Sequence, residues 1–235
     1  MSITEVSTKE EETYETVLKS LQRHINCLSE DNKAIRRRGL SGIEKETIKN
    51  QLGGTVLQSL SLHVLKPLLK CLADSSESNR EFATEIVALY IDSLPSPEEV
   101  LHMVIPMLVQ RLGQERIIEP SEEQRLLILE KIMLPCLDLC DKKIHPYMSD
   151  VLEILKHTIV DPFAEVKKVS CKIASKLARV IPEYFHMQSE TLIVPLMSSI
   201  NHQHSKVLNI SIFNLSVYIF KFLVLFFAKF IHLIT

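Results

Sequence analysis

Two cysteines, Cys136 and Cys140, stand one helical turn apart, a spacing that two metal ligands can use. Structural zinc sites have four ligands at recognisable spacings, and no second pair accompanies these two. The sequence has five cysteines, an odd number, and most of them lie within apolar helical patterns. They are therefore expected to be free buried thiols in a reducing compartment, not a metal site or a disulfide framework. No cofactor is predicted.

Histidines near the C-terminus are the second group that could do chemistry. His202 and His204 flank Gln203, and His186 lies 16 residues before the first of them. A metal or acid–base cluster is one interpretation, but no carboxylate pattern supports it. The segment stands where a turn between two helices belongs, so we expect a solvated turn whose side chains meet a neighbouring unit or a partner.

Basic residues gather in two runs, and each run follows a predicted turn. The first comprises Lys33, Arg36, Arg37 and Arg38, and the second comprises Lys167 and Lys168. Both runs should lie near the same edge of the fold. A solvated helical face is one interpretation, and an edge that contacts a partner is the other.

Other features exclude whole classes of function. The sequence has no nucleophile–base pair, glycine-rich phosphate loop or carboxylate constellation at a catalytic spacing, so no enzymatic activity is predicted. The hydrophobic fraction of 46% and the charged fraction of 24% are those of an ordinary globular protein. A net charge of −2 gives no reason to expect nucleic acid as a partner.

The segment from residue 146 to residue 185 shows which elements position these groups. Apolar residues recur at steps of three and four before and after Asp161-Pro162, which predicts two amphipathic helices. Asp161 can cap the second helix, and Pro162 suits its first turn. Two helices joined by so short a turn cannot bury both apolar faces alone, so further copies are expected above and below.

The rest of the chain supplies such copies. Hairpins are predicted at residues 14–52 and 62–94, a third helix pair begins at Ser96, and a fifth opens near Ser189. Capping boxes are predicted at Ser96 and at Ser121. Asp31, Asp74 and Asp161 mark turns that recur about every 43 residues, within the range of HEAT and armadillo repeats. Proline recurs inside the first helix of a pair, at residues 67, 106 and 195. We therefore predict an all-α solenoid of about five helical hairpins over residues 14–207.

Several short segments of the sequence are more specific than a generic helical-repeat pattern. They are DPFAEVKK from residue 161, FHMQSE from residue 185, LIVPLM from residue 192 and INHQHSKV from residue 200. On the basis of these segments, residues 15–207 resemble the N-terminal region of the HEAT-repeat axonemal dynein assembly factors. The resemblance implies a cytosolic scaffold in the preassembly of axonemal dynein arms. It implies axonemal dynein chains, intermediate chains especially, and co-assembly factors as partners.

The two ends of the chain are expected to differ from this fold. Residues 1–13 are polar and acidic, with no apolar signal region, so we expect them to be disordered and the protein to be cytoplasmic. Residues 208–235 are rich in Phe, Ile and Leu and depart from the family, as in a truncated isoform or a gene-model artefact. This tail is long enough to span a bilayer, but Lys221 and Lys229 interrupt it. An apolar helix covering the last hairpin is the other interpretation, and we expect no membrane partner.

Two alternative functions remain open at this stage. A tubulin-binding HEAT module would use the basic edge, by analogy at the level of the fold alone. A membrane-anchored adaptor would use the tail. The candidate partner contacts are Arg36, Arg37, Arg38, Lys167, Lys168, His202 and His204.

Overall fold

The computed structural model describes residues 3–116 and 118–200, and no β-strand occurs among them. The helices are α1 (Ile3–Cys27), α2 (Lys33–Glu44), α3 (Gly54–Lys70), α4 (Glu77–Asp92), α5 (Leu101–Leu112), α6 (Glu122–Ile128), α7 (Leu134–Cys140), α8 (Met148–Thr158), α9 (Ala164–Val180), α10 (Pro182–Gln188) and α11 (Ile193–Ile200). Short 3₁₀ or π-helical segments join several of them, for example Leu129–Met133 between α6 and α7. The all-α fold built from helical repeats is confirmed.

Residues 1–107 form one compact unit. In it, α1 packs on α2 and α3 packs on α4, while α2 also contacts α4 of the next pair. Close approach of α1 and α2 depends on glycine, because a Cβ at Gly39 would lie 2.7 Å from the carbonyl oxygen of His24. A Cβ at Gly42 would collide with the imidazole ring of the same histidine.

Residues 108–235 form the second unit. Helix α8 packs on α9, and α9 also contacts α6 and α7. All residues of the first predicted apolar stripe, which runs along α8 to Ile159, are buried. Most residues of the second predicted stripe, on α9, are buried as well. These buried residues are Met148, Val151, Leu152, Leu155 and Ile159, followed by Val166, Val169, Ile173 and Leu177. The periodicity therefore places the core of this hairpin correctly.

Boundaries differ from the prediction in two places. Helix α1 begins at Ile3, where disorder is expected through residue 13. Residues 1–13 contain four Glu, a good helix former, and acidic residues near a helix N-terminus interact favourably with its dipole. Helix α3 begins at Gly54 and not near residue 62. The predicted boundary at residue 207 and the tail from 208 to 235 lie outside the described residues.

Of the two predicted capping boxes, the one at Ser121 forms only its N-cap half, because the Ser121 N–H donates to Glu119 at 3.1 Å and not to Gln124. The box at Ser96 does not form. The hydroxyl of Ser121 accepts a hydrogen bond from the N–H of Gln124 at 3.2 Å. Ser96 makes no such cap, because Gln58 of α3 takes its place. The Gln58 amide accepts from the Ser96 N–H at 3.2 Å and donates to Glu99 at 3.0 Å, so the two halves of the expected box bind α3 and not each other.

Prolines at 67, 106 and 195 lie inside α3, α5 and α11. Among the described residues, one helical segment, Gly54–Ala73, is long and apolar enough to cross a membrane by length and composition. More than half of it is buried against the rest of the protein, as in the core helix of a globular fold.

Candidate partner-binding surface

Arg36, predicted as a partner contact, is engaged inside the protein. Its Nε and Nη2 atoms donate to the two carboxylate oxygens of Asp74 at 2.6 and 2.8 Å. Its Nη1 donates to the backbone carbonyls of Glu30 and Asp31 at 2.8 and 2.7 Å. The side chain is only 11% exposed. The expectation of a solvated Arg36 is wrong, because the guanidinium ties its own turn to the turn of the next hairpin.

The second unit repeats this arrangement atom for atom. Arg125 donates from Nε and Nη2 to Asp161 at 2.7 and 2.9 Å, and from Nη1 to the carbonyls of Glu119 and Pro120. Asp161 also accepts from the N–H of Phe163 at 2.8 Å. The predicted N-cap role of Asp161 is therefore wrong. Helix α9 begins at Ala164, and Asp161 is committed to a buried ion pair and a tight turn. We call each such arginine–aspartate connection a rung.

Electrostatics follow the hydrogen bonds. Burial alone raises the pKa of Asp74, but the hydrogen bonds from Arg36, Ser76 and Asn79 outweigh it, so the pKa lies below its ordinary value. The pKa of Arg36 is raised, chiefly by its hydrogen bond to Asp74. Both groups therefore stay charged over the physiological range.

The turns that carry the rungs share a sequence signal that apolar periodicity does not detect. In four turns within helix pairs, an acidic residue is followed six positions later by a basic residue. The pairs are Glu30 with Arg36, Asp74 with Arg80, Glu119 with Arg125, and Asp161 with Lys167. In three of them the arginine donates to the carbonyl of its acidic partner six residues before. The pattern recurs after 44, 45 and 42 residues, so its acid residue and not Asp31 marks the repeat.

The second basic run also contains one buried residue and one exposed residue. Lys167 occupies the basic position of the pattern and is 6% exposed, so the expectation of a solvated side chain is wrong. Lys168 is exposed and pairs with Glu165 at 3.4 Å. His202 and His204, the remaining predicted contacts, lie outside the described residues.

Arg37 and Arg38 remain exposed on α2. The guanidinium of Arg37 stacks 3.8 Å from the centre of the Phe82 ring and donates to the carbonyl of Ser78 at 2.5 Å. Both contacts are made with α4, so the side chain of Arg37 on α2 is held in place by the neighbouring hairpin. Glu85 and Leu89 are exposed along the same side of α4, and Leu89 is 46% exposed. We call the surface formed by Arg37, Arg38, Phe82, Glu85 and Leu89 the α2–α4 face.

A second candidate surface lies on α10 and α11. Met187, Val194 and Met197 are 81%, 76% and 61% exposed. Met187 also borders a cleft of about 350 Å³ between the start of α8 and the segment after α10. Val194 and Met197 are three positions apart and share one side of α11, and large exposed apolar side chains that share a face are typical of protein interaction sites. We call these three residues the apolar patch.

The cysteines behave as predicted from their apolar surroundings. Cys71, Cys136, Cys140 and Cys171 are buried free thiols, while Cys27 is half-buried. Burial raises the pKa of Cys71 and of Cys171 to about 12. Burial, with the nearby Cys140, raises the pKa of Cys136 further. Thiols so far from ionisation are inert at neutral pH. In the part of the chain that the structure describes, no three His, Cys, Asp or Glu side chains are grouped to hold a metal ion.

Helical pairs tied by acid–base rungs define a helical-repeat protein in the described residues. A family model described as "Dynein axonemal assembly factor 5-like, TPR repeats" matches residues 27–221. The chain belongs to this dynein axonemal assembly factor 5-like family. The name of the model refers to tetratricopeptide repeats, but the spacing of 42–45 residues between the acidic residues of this pattern is in the HEAT and armadillo range.

Curated relatives agree with the family match. The chain is 50% identical over 191 residues to dynein axonemal assembly factor 5 of Xenopus laevis, covering 81% of this chain and 23% of that protein. It is 37% identical over 196 residues to the Homo sapiens protein and 34% over 197 residues to the Mus musculus protein. Each match covers 80% of this chain and 23% of the relative, so the chain spans about a quarter of their length. No solved structure matches the chain.

Proposed function

We propose that this chain acts in the cytoplasm as a non-enzymatic scaffold in the assembly of axonemal dynein. The observation that carries the proposal is family membership, since relatives 34–50% identical over four fifths of the chain are named axonemal dynein assembly factors. The partners we propose are axonemal dynein intermediate chains and other assembly factors. Helical repeats suit this role because many shallow contacts can be spread over one extended surface.

The structure offers two surfaces that such partners could contact. The α2–α4 face presents a rigid arginine, an aromatic ring and an exposed leucine, residue types that are frequent at interface hot spots. The apolar patch presents Met187, Val194 and Met197, and methionine adapts to irregular partner surfaces. We propose the apolar patch as the principal contact, because it exposes the larger share of its apolar side chains.

Binding of the chain to a purified axonemal dynein intermediate chain tests this proposal. The Val194→Ser/Met197→Ser variant should weaken binding at least tenfold, as expected when two hot-spot side chains are truncated. The matched control is Leu62→Ser, because Leu62 is a 61% exposed residue on α3. Wild-type chain that shows no binding would contradict the scaffold proposal. Equal binding by the variant and the control would contradict the choice of surface alone.

A tubulin-binding module is the alternative that the structure supports less. It depends on a basic edge that a partner can reach. Arg36 is not available for such contact because it is bound in a rung, and Lys167 is not available because it is buried. Arg37 and Arg38 are the arginines of the first run that remain exposed. Sedimentation with microtubules that is lost in Arg37→Gln/Arg38→Gln would favour this alternative over the dynein scaffold.

A further inference from the structure

The first turn of α4 brings three serines against the basic run of the neighbouring hairpin. Ser75, Ser76 and Ser78 lie at the start of the helix, and Ser75 and Ser78 are exposed. Arg36 donates to the hydroxyl of Ser75 at 3.0 Å, and the hydroxyls of Ser76 and Ser78 are 3.1 Å apart. Arg37 reaches the carbonyl of Ser78 at 2.5 Å.

Contacts on both sides hold this juxtaposition in place. The amide of Asn79 donates to the carbonyl of Lys33 at 3.1 Å, which fixes the start of α4 against the start of α2. Stacking on Phe82 fixes the guanidinium of Arg37. Because these contacts come from two different hairpins, the positive charge beside Ser78 is set by the fold and not by a flexible loop.

The charges around Ser78 distinguish it from the other two serines. Arg36 is already saturated by Asp74 and two backbone carbonyls, so a new anion at Ser75 would compete with a buried rung. Arg37 has one Nη1 contact, to the carbonyl of Ser78, and a stacked face, and Arg38 beside it is exposed. An anion at Ser78 therefore lies beside Arg37, an arginine that no rung engages.

The sequence after Ser78 also suits a modifying enzyme. Glu77 precedes it and Glu81 follows three positions later. Protein kinases select substrates partly by such patterns of charge around the acceptor hydroxyl. The hydroxyl lies in the second position of a 16-residue helix, where the dipole favours negative charge once it is present.

We propose that Ser78 is a phosphorylation site and that Arg37 binds the resulting phosphate. In the reaction, the Ser78 hydroxyl oxygen attacks the γ-phosphorus of MgATP. The bond to the β,γ-bridging oxygen breaks, ADP leaves with the electron pair, and the hydroxyl proton passes to a base of the kinase. The phosphate then links two hairpins by charge-assisted hydrogen bonds and neutralises the positive side of the α2–α4 face. This proposal stands independently of the dynein scaffold.

The first experiment asks whether Ser78 is modified. The full-length chain carrying Ser75→Ala/Ser76→Ala is incubated with an acid-directed serine kinase and MgATP, and the sites are mapped by mass spectrometry. We expect phosphate on Ser78, and its loss when Ser78→Ala is added. Absence of phosphate at Ser78 under conditions that modify a control peptide for the same kinase would overturn the assignment of the site.

The second experiment asks whether Arg37 binds the phosphate. Phosphoserine is introduced at position 78 during translation, and ³¹P NMR follows its titration. The second pKa of free phosphoserine is about 6. Beside Arg37 it should fall to about 5, and Arg37→Gln should return it to about 6. The Lys168→Gln control should leave it low. A pKa near 6 in the wild-type background would refute the proposed clamp.

Discussion

Replacing Asp161 by alanine is the sharpest test of the rungs. The change removes the carboxylate that receives two hydrogen bonds from Arg125, and it removes the acceptor for the N–H of Phe163. The side chains of Asp161 and Arg125 are 0% and 8% exposed. The arginine would therefore be left as a buried charge with only two carbonyl acceptors.

The size of the effect separates the rung from a simple helix cap. Loss of a capping side chain costs about 1 kcal/mol. Removal of one partner of a buried ion pair costs about 3–5 kcal/mol, because the other charge stays desolvated and uncompensated. Since Asp161 has both a turn contact and a buried arginine, we expect Asp161→Ala to lower the free energy of unfolding by about 3–5 kcal/mol.

Urea unfolding of the full chain, followed by circular dichroism, measures this difference. Asp138→Ala is the matched control, because Asp138 also pairs with a cation, Lys176, but is 59% exposed. An exposed pair contributes only about 0–1 kcal/mol. If both variants lose the same small amount, the conclusion that the rung stabilises the repeat is refuted. The variant Arg125→Met/Asp161→Leu should lose less than Asp161→Ala, since no buried charge is left behind.

Three further predictions follow from the same structure. Asp74→Asn should lower the free energy of unfolding by an amount that is constant above about pH 5 and shrinks below about pH 4. The reason is that the pKa of Asp74 is lowered in the folded protein, so its contribution to stability is lost as the carboxylate is protonated. A difference in urea midpoint that does not depend on pH would contradict this. Gly39→Ala should destabilise by about 1–3 kcal/mol, because its Cβ meets backbone, whereas Gly42→Ala should cost less because the His24 ring can rotate away; equal thermal midpoints would be the contrary result. Native protein at pH 8 should react at Cys27 with a thiol reagent well before the four buried cysteines, which become reactive only in urea; rapid labelling of a second thiol without denaturant would show that burial does not protect it.

The sequence predicts the core better than it predicts the polar surface. The stripe from Met148 to Ile159 is buried as expected, because apolar periodicity follows directly from helix geometry. The basic run is harder to interpret, since Arg36, Arg37 and Arg38 look alike in the sequence. Only the packing of one hairpin on the next decides that Arg36 is internal and Arg38 is exposed.

Short-range rules fail where a distant residue competes for the same polar group. Ser96 carries a good capping pattern, yet Gln58 binds its N–H from 38 residues away. Asp161 can cap a helix, yet Arg125 binds its carboxylate from 36 residues away. Such competition lies outside any local window, although the recurring acid–base spacing of six would reveal the second case.

The constant six-residue spacing between the acidic and the basic residue of each turn determines which changes in chain length this fold can accept. Successive acid–base pairs lie 42–45 residues apart, so the connecting segments already vary in length, while the six-residue interval is the same in all four pairs. One residue inserted between Asp161 and Lys167 would turn the following helix by about 100° and carry its buried face toward solvent. One residue inserted at Gln114, in the exposed loop before α6, should be absorbed at little cost. The six-residue segment is thus the unit whose length must be conserved when repeats of this kind are shortened, lengthened or exchanged.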